Sequence, residues 1–239
     1  VLDDDGFLQY KNPIKSYRYP YIGKMFHQTG KVIDLMVTPN HNMWVCPERD
    51  YQMDRGFRFM EAKDMPRHVR YKRDAKWQGK DEKWFVLPAM DYEQTIHTRE
   101  GPKQVTKTLP EKRIPMDVWL WLLGIYIAEG CVANYSGYTI VICQNPGPGL
   151  DRIAAAVRAC GFTAQIYSRS VGVTSKQLFT YLRQLGKSHD KFIPQRFKEL
   201  CPRQLKILLT GLLFGDGHRV RSNLGDYSTV EEFRGYSTV

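Results

Sequence analysis

The chain has 239 residues, 42% of them hydrophobic, which is enough apolar material for one large domain or two ordinary ones. Its 35 Lys and Arg against 25 Asp and Glu leave a formal charge of +10, a balance that suits a polyanionic partner, nucleic acid first. No apolar run reaches the ~18 residues of a membrane span. The acidic start "VLDDDGFLQY" lacks the apolar core of a secretion signal, and the five cysteines are odd in number with no C-x-x-C pair. A disulfide framework and a zinc knuckle are therefore not expected, and reduced thiols in a cytoplasmic protein are. The first residue is Val1 rather than Met, so the chain reads as beginning inside a longer product.

Residues 1–62 read as a small β-rich region. "KVIDLMVTPNHNMWVC" is rich in β-branched and aromatic residues and is broken by Pro39-Asn40, while "DDDG" and "QTGK" mark further turns. Residues 63–112 differ: "KDMPRHVRYKRDAKWQGKDEK" is basic, dotted with aromatics and poor in apolar anchors. Both a solvated connector and a DNA-contacting arm fit that texture. "WFVLPAM" reads as a strand ahead of a polar stretch ending near Pro115.

From Pro115 the periodicity changes. "PMDVWLWLLGIYIAEG" starts a helix on Pro115 and Asp117 and ends it on Glu129 and Gly130. "YTIVICQN" reads as a strand with Tyr138, Ile140, Ile142 and Gln144 on one face. "PGLDRIAAAVRACG" and "SKQLFTYLRQLG" are amphipathic helices closed by glycine, with strands between them. The order predicted over 117–186 is α-β-β-α-β-β-α. "DKFIPQRFKEL" then leads into "LTGLLFGDG", a second apolar helix ending in an acid, Asp216, and a glycine, Gly217.

A carboxylate in the last helical turn sits at the negative end of the peptide dipoles, where it is least favoured. Two copies of this arrangement call for a common cause. Gly124 and Ala128 share one helix face, and Gly211 and Gly215 share another. Small residues let two helix backbones approach. Packed side by side and parallel, the helices would bring Glu129 and Asp216 together. Their repulsion would be reversed by a divalent cation, Mg²⁺ being the hard, partly hydrated ion that joins substrate phosphates and activates water in phosphodiester cleavage. Gly130 and Gly217 would let the chain leave each helix at once and let phosphate approach the backbone.

These paired motifs resemble the LAGLIDADG helices of homing endonucleases, those lodged in inteins above all. The resemblance covers residues 113–239, with a first repeat over 113–204 and an incomplete second repeat over 205–239. Glu129 stands where Asp is commoner. "DKFIPQRFKEL" is similar to the K-x-I-P block of intein endonucleases, which implies a role for Lys191 near the scissile phosphate. Physically, a cation there can polarise water or neutralise developing charge. "LMVTPNHNMWV" is similar to the T-x-x-H block of Hint (intein splicing) domains, here Thr38 and His41, where the histidine assists the first acyl shift by protonating a leaving amide nitrogen.

The resemblance implies an α+β, LAGLIDADG-type fold of αββαββα repeats after a partial Hint-like region. It implies double-stranded DNA as substrate and Mg²⁺ as cofactor, with Glu129, Asp216, Gly130 and Gly217 at the metal site and Lys191 assisting. On that picture the sheet lies along the major groove, making Tyr138, Gln144, Tyr167 and Arg169 candidate DNA contacts, with Arg219 and Arg221 serving the other half-site. The splicing nucleophile and the C-terminal His-Asn pair of the Hint pattern have no counterpart in this stretch. The rest of the second repeat is expected in another segment or in a partner chain. Two other readings stay open: a protein-splicing element with the nuclease as passenger, and an inactive nucleic-acid-binding regulator or maturase.

Overall fold

The computed structural model describes residues 1–3, 5–30, 33–72, 75–133, 137–219 and 233–236. The chain is a mixed α+β protein that divides into two units, Val1–Trp77 and Gln78–Val239. The stretch 63–112 is shared between the units and is largely built into strands. Half-buried apolar residues such as Tyr92, Ile96 and Val105 lie on one face of its longest strands but are interrupted by Gln94, Lys103 and Lys107, so the sequence carries no continuous core-facing period there.

In the first unit the elements are β1 (Phe7–Leu8), β2 (Phe26–Gly30), β3 (Ile33–Val37), β4 (Asn42–Pro47), α1 (Glu48–Gln52), β5 (Arg58–Glu61), β6 (Val69–Tyr71) and β7 (Lys76–Trp77). Strands β2 and β3 form an antiparallel pair, β5-β4-β6 form a three-stranded sheet, and β1 lies parallel to β7. Period-two alternation turns Met43 and Val45 of β4 inward, where they pack with Ala62, Leu35, Val37 and Phe26. This small core is the β-rich region expected from the sequence.

The second unit opens with β8 (Trp84–Leu87), the hairpin strands β9 (Met90–Thr98) and β10 (Gly101–Leu109), and β11 (Lys112–Pro115), which pairs with β8. There follow α2 (Met116–Glu129), β12 (Gly130–Ala133), β13 (Thr139–Cys143), α3 (Pro148–Ala159), β14 (Gln165–Ile166), β15 (Ser170–Thr174) and α4 (Lys176–Arg183). The observed order over this segment is αββαββα. The four strands form one antiparallel sheet in the order β12-β13-β15-β14. Short α5 (Gln195–Lys198) precedes α6 (Pro202–Asp216), and a strand pair, β16 (Gly217–Arg219) with β17 (Phe233–Tyr236), follows it.

The ends of these helices are chemically marked. Ser175 caps α4 by accepting a hydrogen bond from the Leu178 N–H at 3.3 Å. Gly161, at φ +75°, closes α3: its N–H reaches the Arg158 carbonyl at 2.8 Å and the Phe162 N–H reaches Val157 at 3.2 Å. Ile140, Ile142, Val171 and Val173 point from the sheet into one core with α2, α3 and α4. Helix α2 is apolar nearly all round because it is buried nearly all round: everything from Trp119 to Tyr126 is inaccessible or almost so, and the Trp119 ring stacks on Phe85 at 3.9 Å. Among the described residues no helix is long and apolar enough to cross a membrane.

Candidate functional site

Helices α2 and α6 start at a shared polar anchor. Asp117, in the first turn of α2, accepts from Arg203 and, at 3.1 Å, from Gln204 Nε2, both in the first turn of α6. Arg203 also reaches Asp81 at 3.1 Å. Gln204 is fully buried; it donates to the Glu82 carbonyl at 2.7 Å and accepts from the Glu82 N–H at 3.1 Å, so its amide is satisfied on both sides. The Arg203 guanidinium holds the Asp117 carboxyl below its ordinary range. A buried glutamine three residues after a cysteine in "CPRQ" gives no period and no motif, so sequence reasoning passed over this clamp.

From the anchor the helices run parallel and touch through glycine. A Cβ on Gly124 would lie 2.4 Å from the Leu208 carbonyl oxygen and 2.9 Å from the Gly211 Cα. A Cβ on Gly211 would lie 2.4 Å from the Trp121 carbonyl oxygen. One turn on, a Cβ on Gly215 would meet the Ala128 Cβ at 2.6 Å and the Glu129 Cγ at 2.8 Å. All four small residues singled out from the sequence lie in this seam, which is the most extensive helix–helix contact among the described residues.

The seam ends at the two acids. Glu129 and Asp216, each half-buried, lie within hydrogen-bond reach of one another. Two carboxyl groups can share a hydrogen bond only with a proton between them. Burial first, then the Asp216 contact and its charge, push the Glu129 carboxyl above its ordinary 4.5, while the Lys191 charge pulls it down. Beyond each acid the chain turns straight into a strand. Gly130 and Gly217 have extended backbone, φ −86° and −75°, so no left-handed conformation demands glycine. Space demands it: a Cβ on Gly130 would lie 2.2 Å from the Tyr126 ring, and one on Gly217 2.3 Å from the Leu213 carbonyl oxygen.

Lys191 enters from the segment before α5 and caps α2. Its ammonium donates to the carbonyls of Tyr126 at 3.1 Å, Ile127 at 3.0 Å and Gly130 at 2.5 Å, using all three donors on main chain. Burial lowers its pKa, and the charges of Cys131, Asp216 and Glu129 oppose that shift. A cation is thus held where the α2 dipole and two carboxyls are all negative. The Tyr126 phenol, buried beneath it, is pushed up to about 12.

Among the described residues no group of three His, Cys, Asp or Glu could hold a metal. The donor set fits a hard cation that keeps most of its water and takes two carboxylates from the protein. The Gly130 carbonyl already accepts from Lys191.

The candidate DNA contacts scatter. Ile140 and Ile142 face the core, so the face expected from "YTIVICQN" is the covered one. Tyr138 and Gln144 fall just outside β13: Tyr138 is exposed at φ +41°, and the Gln144 carboxamide is tied to the Asn145 N–H at 2.9 Å. By register the open face carries Cys131, Thr139, Val141, Cys143, Ser170 and Thr174. Tyr167 does lie on that face; its ring covers Gly172, where a Cβ would be 2.8 Å from Cε2, and its hydroxyl donates to Gln165 at 2.7 Å. Arg169 is exposed in the β14–β15 turn. Arg219 ends β16, its side chain undescribed, and Arg221 lies outside the described residues.

In the other unit Thr38 and His41 form the turn between β3 and β4, closed by the His41 N–H on the Thr38 carbonyl at 3.0 Å, with His41 exposed.

No protein-family model matches the chain. It is similar to an ATP-dependent Clp protease proteolytic subunit of Chlamydomonas moewusii, 28% identical over 249 residues that take in 98% of this chain and 24% of that protein. It is also similar to a DNA-directed RNA polymerase subunit beta C-terminal section of Stigeoclonium helveticum, 28% identical over 239 residues, 89% of this chain and 20% of that protein. The chain therefore spans a quarter or less of the length of these relatives.

Proposed function

We propose that this chain is a metal-dependent, site-specific double-strand DNA endonuclease of the LAGLIDADG kind, carried on an intein-like element. The observation that carries the reading is the convergence of two glycine-seamed parallel helices on one carboxyl pair, Glu129 and Asp216, with Lys191 beside it. An acid pair built only for stability would not be placed at two negative helix ends, against burial and against each other. Bound there, Mg²⁺ would supply a Lewis acid for the phosphodiester and a water of lowered pKa. The protein's own part is to hold both carboxyls at one point and to fix Lys191 against the carbonyls of the α2 terminus. Hydrolysis of phosphodiesters is the reaction class this arrangement suits.

The comparisons support the carrier half of the reading. Two proteins of different names each hold a segment similar to nearly the whole of this chain, and in each that segment is a minor part of the length. A segment shared in this way between differently named proteins behaves as a transferable unit. Both units of this chain travel together in the first match, and this favours a second, compatible reading: a protein-splicing element in which the Thr38–His41 unit belongs to the splicing part.

The test is direct. Purified protein is incubated with a randomised duplex pool and Mg²⁺, and cut ends are sequenced. Recurrent double-strand cuts at one motif, absent with EDTA and absent for Glu129→Gln, are expected. Metal-independent cutting, or full cutting by Glu129→Gln, would overturn the assignment.

A further inference from the structure

The β9–β10 hairpin is nine paired residues long, from Met90↔Leu109 to Thr98↔Gly101, and at ~3.3 Å per residue reaches about 27 Å, most of one duplex turn. Strict alternation gives it two faces, and these differ in sign. One carries Lys103 and Lys107 with Tyr92, Gln94, Ile96 and Val105, and no acid. The other carries Asp91 and Glu93, each accepting from a threonine hydroxyl of the facing strand, Thr108 and Thr106, at 2.6 Å. Only near its stem does the basic face meet the body of the unit: Lys176 Nζ lies 3.9 Å from the centre of the Tyr92 ring and 4.5 Å from that of Tyr138, while Lys103 and Lys107 stay exposed. Gln177 fixes the stem by donating to the carbonyls of Pro88 at 2.7 Å and Pro110 at 2.8 Å.

The geometry points to the hairpin as a DNA arm, its Lys103–Lys107 face laid against the phosphates of duplex flanking the site where the chain cuts. The inference rests on the endonuclease reading. A two-stranded ribbon fits a major groove about 12 Å wide. Lysines four residues apart on one strand stand ~13 Å apart, so both can meet phosphates along one groove edge. An acid-free face on one side and both acids on the other orient the ribbon, since the reverse docking would set Asp91 and Glu93 against phosphate. On the half-buried face that carries Tyr92, Ile96 and Val105, the two charged side chains, Lys103 and Lys107, are both exposed and both cationic.

The probe is a 40-base-pair mixed-sequence duplex titrated between about 50 and 200 mM salt. Each lost phosphate contact lowers the slope of log K against log salt by about 0.9. Lys103→Gln with Lys107→Gln is expected to lower it by about 1.8, so that the wild type's affinity advantage shrinks roughly twelvefold over that range. Thr95→Glu with His97→Glu makes the same net charge change on the acidic face and is expected to leave the slope unchanged. Near-ultraviolet circular dichroism checks that both variants keep the wild-type fold, and Mg²⁺-dependent cutting at saturating DNA is expected to persist in both. A wild type that binds steeply while the lysine variant keeps the same slope, or equal effects from both faces, overturns the arm and leaves the endonuclease standing. A wild type whose duplex binding ignores salt overturns both.

Discussion

Replacing Gly211 by alanine tests the seam on which the acid pair depends. The added Cβ would stand 2.4 Å from the Trp121 carbonyl oxygen, 3.1 Å from the Gly124 Cα and 3.2 Å from the Ile125 nitrogen. All three are backbone, so no rotamer change relieves them, and the helices must part by roughly 1 Å to restore normal contact. Alanine favours a helix interior over glycine by about 1 kcal/mol. Against it stand an overpacking cost of about 1–3 kcal/mol, nearer the upper end against backbone, and the dispersion forfeited along the opened seam, a quarter to a half of each contact for a gap of roughly this size. The net expectation is a loss of about 1–2 kcal/mol, or about 2–8 °C in the melting temperature of a unit this size. Gly124→Ala should behave alike, its Cβ meeting the Leu208 oxygen at 2.4 Å. The double variant should lose less than the sum, because either change already parts the helices. Gly149→Ala is the control: its Cβ would meet only the Gln144 and Phe214 side chains, at 3.1 Å or more. Urea unfolding followed through Trp119 and Trp121 reads the change. A Gly211→Ala protein as stable as wild type would refute the close approach and with it the meeting of Glu129 and Asp216.

The acid pair makes a pH prediction with a definite sign. Glu129 is raised in the folded chain, so between its ordinary 4.5 and the raised value the folded state binds more protons than the unfolded one, and metal-free stability falls as pH rises through that window. Urea midpoints taken in EDTA should show that fall in wild type and lose it in Glu129→Gln; a stability that rises there in wild type contradicts the shift. Mg²⁺ at a hundred times its dissociation constant should stabilise wild type by about 2.7 kcal/mol and Asp216→Asn by far less, read as thermal melts with and without the ion. Lys191→Met removes three hydrogen bonds from the α2 terminus and the positive charge that favours ionised Glu129. Its expected cost is about 1–3 kcal/mol, with the Glu129 titration, followed by carboxyl NMR, moving to higher pH; an unmoved titration would detach Lys191 from the pair.

The legible parts of this chain are those with a period or a punctuating residue. The small residues Gly124, Ala128, Gly211 and Gly215 announced a helix seam because their spacing matches one helix face, and Gly161 announced the end of α3. The sheet face was misjudged at Tyr138 and Gln144 because β13 has apolar residues at both parities; Val141 on the open side is as branched as Ile140 on the closed one. Burial, not alternation, separates them, and burial depends on α2, α3 and α4 arriving from elsewhere in the chain. The Asp81–Arg203–Gln204 anchor joins residues more than a hundred positions apart and has no local signature. The hairpin was hidden for the opposite reason: its half-buried face carries Tyr92, Ile96 and Val105 interrupted by Gln94, Lys103 and Lys107, so no continuous apolar stripe is written.

The two acids at two helix ends make sense only as a pair. Taken singly, each would be an unfavourable charge at the end of an apolar helix, relieved by moving it one residue into the following turn. That relief is denied by Gly130 and Gly217, whose Cβ positions are filled by the preceding turn, so the chain must leave each helix at a fixed angle with the acid still inside the last turn. The parallel seam then superposes the two ends. Lys191 satisfies the exposed carbonyls of α2 but carries one positive charge against two carboxyls, so it lessens the repulsion without removing it. What remains is a half-buried negative point, built on backbone geometry rather than on flexible side chains. A proton satisfies it at low pH; on the proposed endonuclease reading a hydrated divalent cation would satisfy it at neutral pH and keep water and phosphate positions open for hydrolysis.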